Sequence, residues 1–358
     1  MDVDPLLDLP LRAFRPRSML RLPVHHVPRA RFPVVDAHNH LGRWLTADGS
    51  WSAPHVEEVL EVMDACNVAS IVNLDGMWGD ELRANLERYD RAYPGRFITF
   101  CQLDWSVTSE AGFGERLAAQ LKRCVREGAR GLKVWKQLGL RIRDERGTIL
   151  MPDDPRLDAV WETAASLAVP VTIHVADPVA FFEPLDETNE RLEELLANPD
   201  WHFGDRARFP PFERIIDSFE VLVANHPATT FIGAHVACFA EDVAWVSRML
   251  GSYPNLYADI AARLPELGRQ PRAARRLFLE HPDRILFGTD LFPPARQTYE
   301  IHFRFLETPD EHFAYSADDP PPEGRWAISG LDLPDDVLRR VSGENARRLI
   351  EGPGIERI

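Results

Sequence analysis

The chain has 358 residues, of which 27% are charged and 45% hydrophobic, and its formal net charge is −15. This composition is typical of a globular protein with a large core, either one barrel-type domain or two smaller domains. The acidic balance and the lack of a basic stripe argue against a nucleic-acid partner. No apolar run reaches the roughly 20 residues that a membrane-spanning helix needs.

Cysteine usage and the N-terminal composition predict a cytoplasmic protein. The four cysteines are widely spaced and form no CxxC pair, which is typical of reduced, buried thiols. The first residues carry acids and prolines rather than the apolar core of a signal peptide. Residues 1–32, rich in proline and arginine, are predicted to form an extended N-terminal arm, and residues 33–358 a single barrel domain.

After the arm, short apolar or β-branched runs alternate with segments that have helical patterns. The predicted strands are FPVVDAH (32–38), ASIVNLD (69–75), FITFCQLD (97–104), GLKVW (131–135), VPVTIHV (169–175), TTFIGAH (229–235), NLYADIA (255–261) and RILFGTD (284–290). Eight such repeats over roughly 250 residues predict an α/β fold, a (β/α)8 TIM barrel. An open doubly wound sheet is the alternative, but no glycine-rich phosphate loop follows the first strand.

Helical spacing of apolar residues predicts helices over 52–66, 154–169 and 334–350. In the first of these, Ser52 is placed as the N-cap and Pro54 lies in the first turn.

Two connections, 176–228 after strand five and 291–334 after strand eight, are long enough to cover the barrel mouth. The aromatic residues of the first connection form either the underside of a lid or a local packing cluster; they are Phe181, Phe182, Trp201 and Phe203.

Polar residues collect at the predicted C-terminal ends of the strands, where (β/α)8 barrels carry their active sites. They are His38, His40, Lys133, His174, His235 and Asp290. Each alone has a structural explanation, such as a buried histidine, a loop-capping aspartate or a lysine at the rim. Together they favour a metal site, because three imidazoles and a carboxylate suit zinc or a similar divalent ion with a position left for water.

Five segments together resemble a known family. They are DAHNH after strand one, IH after strand five, GAH after strand six, FGTD after strand eight and ENARRLI in the last helix. In their order and spacing the chain, over about residues 33–351, resembles the amidohydrolase superfamily. More narrowly, it is similar to the branch that includes aminocarboxymuconate-semialdehyde decarboxylase. The resemblance implies a TIM barrel that binds zinc, with manganese as the alternative.

The resemblance also implies roles for the residues at the strand ends. His38, His40 and His174 would bind the metal, and Asp290 would be a further ligand or the general base. His235 would hydrogen-bond the water or polarise the substrate. In some members a lysine at the position of Lys133 is carboxylated and bridges two metals, whereas this branch usually lacks that bridge. One ion is therefore favoured over two, and an unmodified Lys133 could bind a substrate carboxylate.

Weaker candidates lie just beyond the strands. Trp135, Lys136 and Arg263 could hold an anionic or aromatic substrate, or the two cations could form salt bridges at the rim. Asp177 follows His174 closely and could orient it.

These residues support three functional hypotheses. A metal-dependent hydrolase of an amide, ester or lactone is preferred, and a metal-dependent non-oxidative decarboxylase of a small carboxylic acid is the alternative. A ligand-binding barrel without catalysis is the third, but it has no need of a base such as Asp290. The expected partner is a small-molecule substrate, and the branch makes a homodimer possible.

Overall fold

The computed structural model describes residues 6–10 and 13–350. Residues 1–5 and 11–12 of the predicted arm, and 351–358 of the predicted barrel domain, lie outside the described residues. Eight parallel strands confirm the predicted barrel: β1 Val34–Asn39, β2 Val68–Asn73, β3 Phe97–Thr99, β4 Leu132–Val134, β5 Val171–Ile173, β6 Phe231–Gly233, β7 Leu256–Asp259 and β8 Ile285–Leu286.

The strands close into one ring through backbone contacts. Strands β1 to β3 form one continuous sheet and β4 to β8 another. A parallel bridge between Cys101 and Leu132 joins β3 to β4. At the other seam, the Ala37 N–H donates to the Phe287 carbonyl at 2.9 Å, and the Asp290 N–H donates to the His38 carbonyl at 2.8 Å. The second seam therefore fixes Asp290 directly beside His38.

Helices and short helical turns connect the strands. The α-helices are Val56–Cys66, Gly79–Asn85, Phe113–Glu127, Asp158–Ser166, Leu192–Ala197, Phe212–Asn225, Val243–Ser252, Leu264–Arg269, Pro271–Glu280, Arg296–Glu307, Asp335–Arg339 and Asn345–Ile350. Wider π-helical turns occupy Leu86–Arg91 and Arg340–Glu344, and 3-10 turns occupy Trp105–Ser109, Pro155–Leu157, Val179–Phe181 and Pro199–Trp201. The short segments Gln137–Leu140 and Ala234–Ala237 contain residues with non-helical backbone angles.

The structure corrects two details of the predicted elements. The first helix begins at Val56 rather than beside Ser52, because the Ser52 hydroxyl donates to the His40 carbonyl instead of capping a helix. The two long connections are also less irregular than their lengths suggest. Each contains a regular barrel helix, Phe212–Asn225 in the first and Arg296–Glu307 in the second.

The inside of the barrel is apolar at one end and polar at the other. Val35, Val72, Phe100, Ile232 and Leu286 pack together inside the ring, and Ala346 and Ile350 of the last helix close this end. A larger shell of apolar contacts lies between the strands and the surrounding helices. The predicted metal residues occupy the opposite, C-terminal end of the strands, so the packed interior supports them from below.

The second long connection adds a two-stranded antiparallel hairpin, β9 Phe313–Ala314 and β10 Ala327–Ile328. Strand β10 packs on the helix Leu264–Arg269, which follows β7. Gly268 allows this approach, since a Cβ there would clash with the side chain of Ile328. Among the described residues, none of the helices has the length and apolar character to span a bilayer.

Candidate active site

The barrel brings the predicted polar residues to one end. His38, His40, Lys133, His174 and His235 are all at least 96% buried, and 23% of the Asp290 side chain is exposed. Ring centroids of His38 and His235 lie 4.8 Å apart, and those of His174 and His235 lie 4.3 Å apart. The convergence expected from the strand-end positions is therefore present.

Two carboxylates fix the histidines of β1. His38 Nδ1 lies 2.8 Å from Asp259 Oδ2, and His40 Nδ1 lies 2.7 Å from Asp75 Oδ1. A carboxylate accepts, so each Nδ1 carries the proton and each Nε2 is left to face the centre of the site. Carboxylates behind metal-binding histidines orient the ring and increase its basicity.

Asp290 is the carboxylate that faces both of these histidines. Its Oδ1 lies 3.1 Å from His40 Nε2 and 3.6 Å from His38 Nε2. Burial alone would raise the pKa of Asp290, but the His38 ring, the hydrogen bond to His40 and the Lys133 charge lower it below its ordinary value. The contact between Asp290 and His40 also changes the pKa of His40. Burial opposes protonation of His40, but Asp75 and Asp290 raise its pKa to about 9.

His235 is held by an unusual backbone. His235, Val236, Ala237 and Cys238 have φ angles between 54° and 61°, which makes this segment a left-handed turn. The His235 Nδ1–H donates to the Ala261 carbonyl at 2.9 Å, and Nε2 lies 3.9 Å from Asp290 Oδ2. Burial, followed by the charges of His174 and Arg263, lowers the pKa of His235 well below its ordinary value. The ring is therefore neutral, with an acceptor nitrogen facing Asp290.

His174 follows β5, and neither of its ring nitrogens has a hydrogen-bond partner in the described chain. Its Nε2 lies 3.3 Å from Asp177 Oδ1, which is near enough for the orienting role predicted for Asp177. Burial lowers the pKa of His174 to about 4 despite this neighbour. Buried imidazole nitrogens without partners are costly, and a bound metal ion would satisfy one of them.

Lys133 lies at the end of β4, almost fully buried, with Nζ 3.2 Å from His38 Nε2. Burial lowers its pKa. The amine of Lys133 thus lies next to a predicted ligand atom and not at the rim of the barrel. This position suits both a carboxylated lysine ligand and a lysine that binds substrate.

These residues fit a divalent metal ion. The ligand atoms of His38, His235 and Asp290 all lie within 4.8 Å of one another. His40 reaches the same carboxylate, and His174 supplies buried nitrogens without partners. Imidazole and carboxylate ligands of this kind suit zinc and manganese. His235, predicted as a catalytic residue, belongs to this group of ligand atoms. It is therefore at least as near to the expected metal position as the predicted ligand His174.

A cavity of about 450 Å³ opens over these residues. We call it the catalytic cavity. Its aromatic wall consists of Trp44, Trp135, Phe181, Trp201 and Phe292. Trp135 lies between the histidines, with ring centroids 5.1 Å from His40 and 6.2 Å from His174. Pockets of this size with an apolar wall and a few convergent polar groups are typical of small-molecule sites.

The cations around the catalytic cavity differ in their partners. Lys136, one of the predicted substrate-binding residues, forms a salt bridge with Asp177, which was the alternative role considered for it. Arg191 pairs with Glu194 and Glu323, both at 2.7–2.8 Å, and with Glu266. Arg263 lines the cavity and donates to the Ala262 carbonyl, but within the described chain it has no carboxylate within 4.0 Å.

The aromatic residues of the first long connection divide between the two predicted roles. Phe181 and Trp201 stack with centroids 6.2 Å apart and line the catalytic cavity. Phe182 and Phe203 pack against each other, Phe209 and Phe212, away from the cavity. Phe181 and Trp201 therefore cover the catalytic cavity, whereas Phe182 and Phe203 belong to the packed core beneath them.

Three important residues were not assigned from the sequence. Asp75 ends the predicted run ASIVNLD, so a carboxylate at a strand C terminus was the available signal there, whereas Asp259 lies inside the predicted run NLYADIA and ends the observed β7. Arg191 lies in the first long connection, where no local pattern distinguishes it from surface arginines. Glu194 is only three residues away, but its other two partners, Glu266 and Glu323, come from segments far along the sequence.

A comparison with known protein families identifies the family of this chain. The family model described as Amidohydrolase matches residues 81–351. The chain belongs to the amidohydrolase family. The superfamily resemblance drawn from the sequence is therefore confirmed. The protein is a metal-dependent enzyme of this superfamily, a hydrolase or a decarboxylase. No curated protein matches the chain.

Solved structures share the fold at low sequence identity. An uncharacterized TIM-barrel protein, Bb4693 from Bordetella bronchiseptica, has 16% identity and a TM-score of 0.54, covering 89% of this chain and 98% of its own. The 2,6-dihydroxybenzoate decarboxylase from Rhizobium has 17% identity and a TM-score of 0.54, covering 89% and 99%. A dihydroxybenzoic acid decarboxylase from Polaromonas sp. JS666, solved with manganese and the inhibitor 2-nitroresorcinol, has 17% identity and a TM-score of 0.56, covering 89% and 97%.

Proposed function

We propose that this amidohydrolase is a metal-dependent, non-oxidative decarboxylase of a small aromatic carboxylic acid. The observation that carries the proposal is Arg263, a buried guanidinium that lines the catalytic cavity and has no carboxylate within 4.0 Å among the described residues. The other lining cations, Lys136 and Arg191, are neutralised by acids of the chain. Arg263 is therefore the cation available for a substrate carboxylate, which it can bind through two parallel hydrogen bonds.

The cavity wall favours a planar substrate. Trp44 and Trp135 meet edge to face with centroids 4.6 Å apart, and Phe181 and Trp201 of the first long connection stack and line the same cavity. Aromatic side chains bind a flat ring by offset or edge-to-face contacts and exclude water from it. The three similar structures include two decarboxylases named for dihydroxybenzoic acids, and this agrees with a hydroxylated aromatic acid as substrate.

Decarboxylation breaks the bond between the ring carbon and its carboxyl group. Carbon dioxide leaves, the electron pair stays on the ring carbon, and that carbon takes a proton. A bound divalent ion would act as a Lewis acid that stabilises the negative charge developing on the substrate. His38, His40, His174 and Asp290 would hold it, with His235 close enough to take part.

Within the chain, Asp290 is placed to deliver the proton. It is the acid at the floor of the cavity, and 23% of its side chain is open to solvent. Its lowered pKa makes Asp290 a carboxylate at neutral pH, so it would first accept a proton from solvent and then pass that proton to the ring carbon, which returns it to the carboxylate form. Arg263 holds the carboxylate and thereby positions the ring over Asp290.

Hydrolysis of an amide, ester or lactone is the second candidate, and one observation favours it. Asp290 and the neutral His235 present two proton acceptors, an oxygen and Nε2, on the same side of the site 3.9 Å apart. Such groups suit removal of a proton from an attacking water.

We further propose one divalent ion for each chain, zinc or manganese. With Lys133 unmodified, Asp290 is the carboxylate ligand at the centre, which is sufficient for a single ion. The predicted cytoplasmic location stays a prediction, and the four buried free cysteines support it. A homodimer also stays a prediction.

The test uses protein loaded separately with zinc and with manganese. Hydroxybenzoates, aryl lactones and aryl amides are supplied in parallel, and released carbon dioxide and new carboxylate are both measured. We expect carbon dioxide from a hydroxybenzoate, and Arg263→Met should raise KM for it far more than Arg263→Lys does. Release of a new acid from lactones or amides, with no carbon dioxide from any benzoate, would instead establish the hydrolase.

A further inference from the structure

Arg191 holds three glutamates together where the segments that cover the catalytic cavity meet. Its Nη1 lies 2.7 Å from Glu194 Oε2 and 2.8 Å from Glu323 Oε2. Its Nη2 pairs with Glu266. The three acids come from the first long connection, the second long connection and the helix after β7, respectively. We call these four residues the arginine–glutamate cluster. Since two carboxylate oxygens share one nitrogen, Glu194 and Glu323 lie close to each other.

The charges of the arginine–glutamate cluster do not balance. Arg263, three residues before Glu266, is the second arginine whose charge acts on it, so two arginines face three glutamates. Glu241 interacts with both Arg263 and Glu266 as a further acid. On its own hairpin, Glu323 faces the neutral hydroxyl of Tyr315, which accepts the Glu323 backbone N–H at 3.0 Å. At least one carboxylate charge is therefore in excess, and a proton on one of the acids removes it.

Glu323 is the acid of this cluster best placed to hold that proton. Burial raises its pKa from an ordinary value of 4.5 to about 7, against the opposing charge of Arg191 and with a further contribution from Glu266. About half of the Glu323 side chains are therefore protonated at neutral pH. The side chain is 20% exposed and lines the catalytic cavity, so its proton can leave and be replaced.

Glu323 and Asp290 lie on the same side of the catalytic cavity. They are the two acids that line both this cavity and a neighbouring cavity of about 320 Å³. A proton that leaves Glu323 therefore enters the space into which Asp290 opens.

We propose that Glu323 is a proton donor of the active site, which holds a proton at neutral pH and releases it into the catalytic cavity during turnover. In decarboxylation, the bond between the ring carbon and its carboxyl group breaks, the electron pair stays on the ring carbon, and that carbon takes a proton from Asp290. Glu323 replaces this proton through water in the cavity, and solvent then reprotonates Glu323. The inference rests on the proposed function in taking this cavity as the place of reaction, but in a hydrolase the same proton would go to the leaving group.

The first test needs no substrate. Infrared spectra of the metal-loaded full chain are recorded between about pH 5 and about pH 9, the range in which such a carboxyl group titrates. The wild type should lose a carboxylic-acid C=O band with a midpoint near pH 7. Glu323→Gln should lack this band, whereas Glu311→Gln, at an exposed acid of the same connection, should keep it. A band that is absent from the wild type, or unchanged in Glu323→Gln, would overturn the proposal.

The second test asks whether the proton is used. Wild-type kcat should fall as the pH rises above about 7, because ionised Glu323 has no proton to donate. In Glu323→Gln, kcat at neutral pH should be at least about tenfold lower, this alkaline fall should disappear, and KM should change little. Glu323→Asp keeps a carboxyl group and should restore the fall, and Glu311→Gln should match the wild type.

The amide of Glu323→Gln stands in for the protonated acid, so this variant should unfold at no lower temperature than the wild type at about pH 8. The pH profile is measured with whichever benzoate or lactone the enzyme converts, so a failure of the proposed decarboxylation leaves this test intact. An equal loss of kcat at every pH in Glu323→Gln, or an unchanged alkaline fall, would show that Glu323 only supports the cover and would overturn the proposal.

Discussion

Asp259 holds His38 from the end of β7, with Oδ2 2.8 Å from Nδ1 of the imidazole. The other oxygen of the same carboxylate accepts the backbone N–H of His235 at 2.9 Å. One fully buried carboxylate therefore fixes the ring of one candidate ligand and the backbone of a second.

This contact predicts the effect of Asp259→Asn. The amide is close to the carboxylate in size but carries no charge, and it can present an N–H to His38 and favour the wrong tautomer. Metal affinity should fall by about 10–100-fold, as for other partners behind metal-binding histidines. Competition with a chelator measures it. Asp283→Asn, at an exposed acid on the far end of β8, should leave metal affinity unchanged.

Asp290 is expected to matter more for proton transfer than for metal retention. Asp290→Asn keeps an oxygen ligand but loses the acid–base group, so turnover should fall by about 10²–10⁴-fold while much of the metal remains. His38→Ala should lose metal and activity together. Elemental analysis and turnover on the same preparations separate the two cases. If both variants lose metal equally, Asp290 is chiefly a ligand, and His235 becomes the first candidate for proton transfer.

The sequence was sufficient for the barrel and for the residues that face its mouth. Short apolar or β-branched runs alternating with helical segments predict the strand order, and a (β/α)8 topology places every strand end at one rim. His38, His174, His235 and Asp290 could be found for that reason, without any knowledge of the loops.

What the sequence did not reveal depends on contacts between distant segments. Asp75 supports His40 across 35 positions, and Arg191 meets Glu266 across 75. Ser52 has the residue type of an N-cap and is followed by a proline in the expected first turn, yet its hydroxyl donates to the carbonyl of His40. Local propensity cannot anticipate such partners, because tertiary contacts override it.

Trp201 and Phe203, two aromatic residues of the first long connection, should respond differently to substitution by alanine. Trp201 is 41% exposed and lines the catalytic cavity, so Trp201→Ala should raise KM with little change in melting temperature. Phe203 is 1% exposed among other rings, so Phe203→Ala should cost about 3–5 kcal/mol of the free energy of unfolding. Denaturant unfolding and steady-state kinetics test both. Equal loss of stability in the two variants would show that Trp201 is also a packing residue.

Lys133 determines how many metal ions the site holds. Its Nζ lies 3.2 Å from His38 Nε2, a position suitable for a carboxylated lysine or a free amine. We expect the free amine and about one equivalent of metal for each chain. Protein prepared in ¹³C-bicarbonate should therefore show no carbamate signal by NMR. A carbamate resonance that disappears in Lys133→Met, together with a second equivalent of metal, would contradict the single-ion site.

The left-handed turn at His235 is expected to store conformational strain. Left-handed helical backbone costs about 1–2 kcal/mol for each residue with a Cβ, and glycine does not have this penalty. Ala237 has φ of 54° and is fully buried. In Ala237→Gly, relief of the strain should offset the lost methyl contacts and the greater freedom of the unfolded chain. The free energy of unfolding should therefore change little.

Ala164 provides the matched control, because it is equally buried but lies in the right-handed helix Asp158–Ser166. There glycine costs about 1 kcal/mol in helix propensity and about 0.8 kcal/mol in lost burial, with no strain to relieve. Denaturant unfolding should show Ala164→Gly to be the less stable variant by at least about 1 kcal/mol. Equal losses would mean that the turn is relaxed. The predicted difference would instead show that the strained backbone, which orients His235 towards Asp290, lowers the stability of the fold. Strained backbone is common at functional sites.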